Sequence, residues 1–260
     1  MVHPIAPKNN VYKEFQIQLK SYLSPQRTIS SLNQIDSESW CQETIFFPRG
    51  FDSKNIPDQK IQKIINEIDF LDNGIVIFVG NNKVTVLIPP LPMMIEKSFH
   101  GFKSKPIIDL LNCCPTFAVV LIRLGNYAIG VIKDHKLQSS KTGSRLVKNR
   151  HKKGGSSQRR FERGRERQIK ELFDKICDTA KRIFTPYENE IDYIFFGGDK
   201  HVISNFHLRC PSVKKFDQIE RRLPVHRPGL KALQSIEKEI WKTHLIEFIE
   251  TQNVLEENNA

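Results

Sequence analysis

The sequence predicts an α/β protein of the α+β kind. It should have a mixed β-sheet with long flanking helices, an extended basic loop carrying a Gln tip, and a smaller N-terminal α/β region in front. Three observations predict this. Two pairs of β-rich apolar runs are each joined by a short Gly/Asn turn. Two later stretches repeat apolar residues at steps of three and four. Between the second pair of runs and the first of these stretches lies a polar, basic segment from Gln138 to Arg160. With 260 residues, 39% of them hydrophobic, the chain can bury one large core or two small ones. The expected boundaries are an N-terminal region at 1–112, a main domain at 113–252 and a polar tail at 253–260.

Residues 1–35 are polar and weakly patterned. In 57–72, Ile61, Ile64, Ile65, Ile68 and Leu71 share one face of a helix that Pro57 and Asp58 begin. "GIVIFVGNNKVTVLIPP" reads as a hairpin turning at Gly80-Asn81-Asn82 and ended by the double proline. "PLPMMIEKSFHGFKSKPIIDLLNCC" reads as a connection and a short helix. A second hairpin pairs 117–124 with 127–133 across Gly125-Asn126, two residues that tolerate positive φ. Past the basic loop, Ile169, Leu172, Phe173, Ile176, Ala180 and Ile183 predict a long helix with one apolar face. "IDYIFFGGDKHVISNFHL" predicts a strand ending at Gly197-Gly198. "RPGLKALQSIEKEIWKTHLIEFIE", with Leu233, Ile236, Ile240, Leu245 and Phe248, predicts a second long helix.

The net charge of +11 is confined to one place. Residues 133–170 hold fourteen of the forty Lys/Arg and three of the twenty-nine acids, which leaves twenty-six of each elsewhere. A neutral protein with one basic segment is built to meet a polyanion there. No apolar run is longer than a strand, and the N-terminus has no apolar signal core, so a soluble cytoplasmic protein is expected. Cys41, Cys113, Cys114, Cys177 and Cys210 form no CxxC pair and read as reduced, mostly buried thiols. No metal and no cofactor are expected. His201 and His207, six apart around a strand end, read as surface or core histidines.

The segment "HKKGGSSQRRFERGRERQIKELF", His151 to Phe173, sets small uncharged residues inside dense positive charge. "GGSSQRR" does not fit a phosphate-binding loop, and Ser156 and Ser157 sit on no nucleophile elbow. The loop has no strong acid, base or nucleophile. It can still bring backbone N–H groups and one amide into a site built by another molecule, orienting water and stabilising developing negative charge. Equally, it can be an RNA-binding loop in which Gln158 is polar filler.

Hairpin, basic loop, Gly-rich tip ending in Gln and basic amphipathic helix together resemble the catalytic domain of the eukaryotic and archaeal peptide-chain release factors. That family carries a Gly-Gly-Gln tip followed by an Arg-Phe-x-Arg-x-Arg helix start. Here the sequence is "GGSSQRRFERGRERQ", with Arg160-Phe161-Glu162-Arg163-Gly164-Arg165 in that place. The likeness runs on through "KELFDKICDTAKRIF" and "IDYIFFGG" and covers about 116–206. Ser156 and Ser157 stand before Gln158 where the family has two glycines. In this the chain looks more like the ribosome-quality-control relatives with a Gly-Ser-Gln-type tip. Residues 1–112, which do not look like a stop-codon-reading domain, then become a ribosome-docking region.

The resemblance implies a peptidyl-tRNA hydrolase acting on stalled large ribosomal subunits, a monomer whose partners are rRNA, peptidyl-tRNA and other quality-control factors. Gln158 becomes the catalytic residue, and Gly154, Gly155, Ser156 and Ser157 shape the tip. Lys148, Arg150, Lys152, Lys153, Arg159, Arg160, Arg163, Arg165 and Arg167 bind RNA, while Phe161 and Ile169 anchor the helix in the core. The competing readings are a non-catalytic ribosome-associated RNA-binding protein, an endonuclease acting on the tRNA 3′ end, and a stop-codon-dependent termination factor.

Overall fold

The structure is a computed structural model that describes residues 12–56, 58–68, 71–148 and 156–253; of Ser156 and Ser157 it describes the backbone. The architecture is mixed α/β, with two sheets and six helices among the described residues. Two compact units divide the chain. The first takes the described residues up to Ile108 and those from Lys242 on; the second is Asp109–Trp241.

The first unit holds β1 (Tyr12–Leu23), α1 (Pro25–Glu38), β2 (Glu43–Phe47), α2 (Gln59–Asn66), β3 (Ile75–Val79), β4 (Lys83–Ile88), β5 (Lys97–His100) and α3 (Lys105–Leu111), which crosses the boundary. Ser24 caps α1 through Arg27 N, and Asp58 caps α2 through Lys60 N and Ile61 N. The isoleucine face of α2 packs on Ile75, Ile77, Val84, Val86, Ile88, Ile246 and Phe248. The predicted hairpin is β3–β4. Four elements of this unit were not predicted. β1 and α1 fall in the start read as weakly patterned, although Phe15, Ile17 and Leu19 alternate with polar residues; β2 falls in a stretch given no reading, and β5 in the segment read as connection.

The second unit begins with β6 (Thr116–Arg123), β7 (Asn126–Lys133) and β8 (Lys136–Ser144), and continues with α4 (Ser156–Phe184) and β9 (Ile191–Gly198). It ends with α5 (Lys200–Arg209), β10 (Asp217–Leu223) and α6 (Leu230–Ile240). Sheet order is β10-β9-β6-β7-β8; β10, β9 and β6 are parallel, and β7 and β8 are antiparallel to their neighbours. On one face Ala118, Val120, Ile122, Ile194 and Phe196 meet Leu172, Phe173, Ile176 and Ala180 of α4 and Ile203 and Phe206 of α5. On the other, Leu233 of α6 comes within 3.4 Å of the position a Cβ at Gly130 would take. Both faces are covered, so β6 reads as an unbroken apolar run.

Four expectations are corrected here. The basic loop is shorter than 138–160: β8 occupies Lys136–Ser144, a polar edge strand whose ladder comes from β7 and not from apolar side chains. The stretch after Gly198 contains α5 and β10, so His201 and His207 lie on a helix. The second long helix stops at Ile240. Residues Thr243–Asn253 are a strand, β11, lying between β1 and β4 in the first unit's antiparallel sheet, whose order is β1-β11-β4-β3-β2-β5. Leu245 and Phe248 matched a helical step, but pairing on both sides decides for strand. Finally, Cys177 and Cys210 are not free thiols. They form a disulfide between α4 and the end of α5, with Cα atoms 5.5 Å apart across a separation of 33 residues. Cys113 and Cys114 are exposed, and Cys41 is buried. Among the described residues no helix is long and apolar enough to cross a membrane.

Candidate functional site, a basic helix projecting from the sheet

Twenty-nine residues at about 1.5 Å each make α4 roughly 43 Å long. Its two halves are held differently. From Ile169 on, the apolar face is in the core. Leu172, Phe173, Ile176 and Phe184 are at most 3% exposed, which is worth on the order of 6–12 kcal/mol together. From Ser156 to Gln168 the one apolar side chain is Phe161, and it is 50% exposed. The expectation that Phe161 anchors the helix in the core is therefore corrected; Ile169 does pack against it. Lys148 Nζ lies 5.9 Å from the Phe161 ring centroid.

A strap from the end of β8 holds the projecting half. Lys175 Nζ donates to Ser144 O at 3.3 Å, and Arg145 pairs with Glu171. Val147 packs on the core. Lys148 N donates to Gln168 Oε1 at 3.0 Å, and Arg165 Nε donates to Lys148 O at 3.0 Å. As the strap advances, its helix partners step from 175 to 165, so it climbs α4 toward the N-terminus. At the rear, Arg209 grips Asp174 with two bonds of 2.6 and 2.8 Å. That hydrogen bonding holds the Asp174 carboxyl below its ordinary range.

The residues expected at the site fall into three groups. Gln158 is the third residue of α4, in its first turn. The glutamine sits on a helix here, not in the loop where the sequence placed it, and Ser156 and Ser157 are helical. Its Nε2 donates to Glu162 Oε1 at 3.0 Å, one turn on. Arg159, Arg160, Arg163 and Arg167 are exposed, whereas Arg165 is half-buried and clamps the strap. Lys148 is exposed on the strap. Gly154, Gly155, Arg150, Lys152 and Lys153 lie outside the described residues. Glu162, Gln168 and Glu171 were not expected as partners; four-residue steps, from Gln158 to Glu162 and from Arg167 to Glu171, signal two of them.

The first turn of α4 has no acidic residue and ends at Arg159, with Arg160 next. Cations there oppose the helix dipole, at about 0.3–1 kcal/mol each. A helix start leaves N–H groups without intrahelical partners, and these, the dipole and the arginines all favour an anion at this end. What results chemically is an anion-seeking helix end that presents one neutral amide.

Residues 115–246 match the model of the Actinobacteria/chloroflexi VLRF1 release factor. Peptide chain release factor subunit 1-1 of Methanosarcina acetivorans is 27% identical over 164 residues, 56% of this chain and 39% of that one. Peptide chain release factor subunit 1 of Archaeoglobus fulgidus is 26% identical over 162 residues, 56% and 40% respectively. The chain thus spans about two-fifths of the length of these relatives. Among solved structures, an archaeal translation termination factor overlays with TM-score 0.35 and 15% identity, covering 84% of this chain and 73% of that one. Archaeoglobus fulgidus Pelota overlays with TM-score 0.30 and 12% identity, covering 90% and 63%. The family match takes in just over half of the chain, including the strap, α4 and the second unit's sheet, and the protein belongs to the VLRF1 release factor family.

Proposed function

We propose that the protein is a peptidyl-tRNA hydrolase that frees nascent chains from stalled large ribosomal subunits, working in the cytoplasm as a monomer without a cofactor. One observation carries this reading. Gln158 stands in the first turn of a helix whose N-terminal half is arginine-rich and contributes no large buried side chain to the core. Such an element is stable enough to project and free enough to enter a crowded RNA cavity.

In this reading Arg159, Arg160, Arg163 and Arg167 hold phosphates, as do Arg150, Lys152 and Lys153 before the helix, with Lys148 on the strap. Gly154, Gly155, Ser156 and Ser157 keep the tip small. Water attacks the carbonyl carbon of the ester between peptide and tRNA. The ester C–O bond breaks, the peptide leaves with a carboxyl group, and the tRNA ribose oxygen takes the proton. Gln158 orients the water and stabilises the oxyanion through its amide and backbone N–H.

The test is release of a labelled peptide from peptidyl-tRNA on purified large subunits, wild type against Gln158→Ala. Losing one such donor typically costs 10²–10³-fold in rate, about 3–4 kcal/mol. The expected outcome is a loss of at least 100-fold, with full-length tRNA left by the wild type. Equal release by both proteins removes Gln158 from catalysis. A shortened tRNA makes the protein a nuclease, and binding without release makes it an RNA-binding module.

A further inference from the structure

The strong charge excess of the sequence is local, and outside 133–170 cations and acids balance. The fold breaks that balance at one edge. β6, β9 and β10 run parallel and end together: Ile122 lies opposite Gly198, and Leu223 opposite Gly197. Gly198 makes this possible with φ 129°; a Cβ there would fall 2.0 Å from Ile122 O. Around these strand ends stand Arg123, Lys200, Arg222 and Arg227, all exposed. Across 122–126, 197–201 and 222–228 the one acid is Asp199. Its carboxylate caps α5, accepting from His201 N at 2.9 Å and Val202 N at 3.2 Å.

Segments a hundred residues apart thus place four cations on one edge. Arg123 Nη1 donates to His226 O at 2.9 Å and draws the 224–228 loop over it. Lys200 and Arg227 make no ion pair among the described residues. An uncompensated cluster repels itself, and a polyanion relieves that repulsion. The edge also lies at the foot of α4: Arg145 N donates to Gly125 O at 2.9 Å, so the strap leaves the sheet here. Gln158 is seventeen residues ahead of Lys175, which meets the strap's start, or about 25 Å along the helix.

We propose that this strand-end edge is a second phosphate-binding surface, taking the backbone of the RNA that the tip of α4 approaches. The proposal rests on the reading of the chain as a factor acting on RNA-linked peptide. Phosphate contacts position without reading sequence, so the edge works as a rear anchor that sets how far the tip advances. The shared chemistry is an RNA phosphodiester backbone, supplied by tRNA or by large-subunit rRNA.

The full chain carrying Lys200→Gln, Arg222→Gln and Arg227→Gln tests this. Affinity is measured against salt for deacylated tRNA and for purified large subunits, with peptide release run in parallel. Each lost phosphate contact lowers the slope of log affinity against log salt by about 0.7–0.9. The triple variant should lose about two units of slope and at least tenfold in affinity toward whichever RNA supplies the phosphates. Lys200→Arg, Arg222→Lys and Arg227→Lys together should keep the slope. Unchanged slope and affinity in both arms, at an unchanged melting temperature, overturn the proposal. Altered slopes with no wild-type release leave the surface standing and remove the release reading; full release with equal slopes does the reverse.

Discussion

Gln158 is held by a contact that breaks easily. Its partner Glu162 is one exposed helical turn away, and such a pair is worth about 0.2–0.5 kcal/mol, roughly a twofold bias. Glu162→Ala should therefore change peptide release less than about threefold; a loss as large as that of Gln158→Ala would make the carboxylate part of the reaction. His207 behaves differently. It packs edge-on against Phe196 with ring centroids 4.3 Å apart, and its Nε2 is buried without a hydrogen-bond partner among the described residues. Desolvation, aided by Lys214, pushes its pKa below the ordinary value, which is about 6.5. Below that pH the unfolded chain binds a proton that the folded chain refuses. Melting temperature should thus fall as pH drops through about 6.5 and level off once the folded state also protonates, and His207→Phe should flatten that fall. An equal pH response in both proteins would remove His207 as the cause. Gln158 stood out in the sequence through its small, uncharged neighbours set among cations and through the resemblance they carry; its place on a helix did not. The burial of His207 was not legible, because it depends on α5 meeting β9.

At the scale of elements, what the sequence showed was what local pattern determines. The β3–β4 and β6–β7 hairpins each have two apolar runs and a Gly/Asn turn, and both formed. The apolar face of α4 was readable from Ile169 to Ile183 because burial repeats at helical spacing there. Its first thirteen residues carry no such period, and only the resemblance marked a helix start there, at Arg160, four residues after the true one. Strand β8 has the composition of a loop, and only the register with β7, from Asn126↔Ser144 to Lys133↔Lys136, makes it a strand. Pairing also decided β11 against its helical spacing. The strap shows the limit most clearly. Backbone groups of Lys148 contact Gln168 and Arg165, seventeen to twenty residues away in sequence, and nothing in the basic composition marks which cations clamp the chain and which remain for a ligand.

At the scale of the whole molecule, the chain returns to the first unit after Trp241, and that return has a consequence for cutting the chain. In β11, Leu245, Ile246 and Phe248 are at most 4% exposed, with β1 on one side and β4 on the other. A fragment spanning 113–252, the boundary suggested by composition, keeps this strand and removes both its neighbours. It would bare three large apolar side chains, about 1.5–3 kcal/mol of lost burial each, on a strand with two unpaired edges that invite self-association. A fragment spanning 109–241 ends before the strand and retains β6 to β10, α4 to α6 and their core. It should be monomeric and melt in one cooperative transition, whereas the longer fragment should scatter light and elute as aggregate at the same concentration. Truncation of the full chain after Trp241 should have a complementary effect. Without β11 the first unit's sheet loses the link between β1 and β4, so hydrogen exchange should accelerate in β1 to β5 while β6, β7 and β9 stay protected. If the 113–252 fragment proves as soluble and monomeric as 109–241, then β11 is not committed to the first unit's sheet, and the second unit can accommodate it.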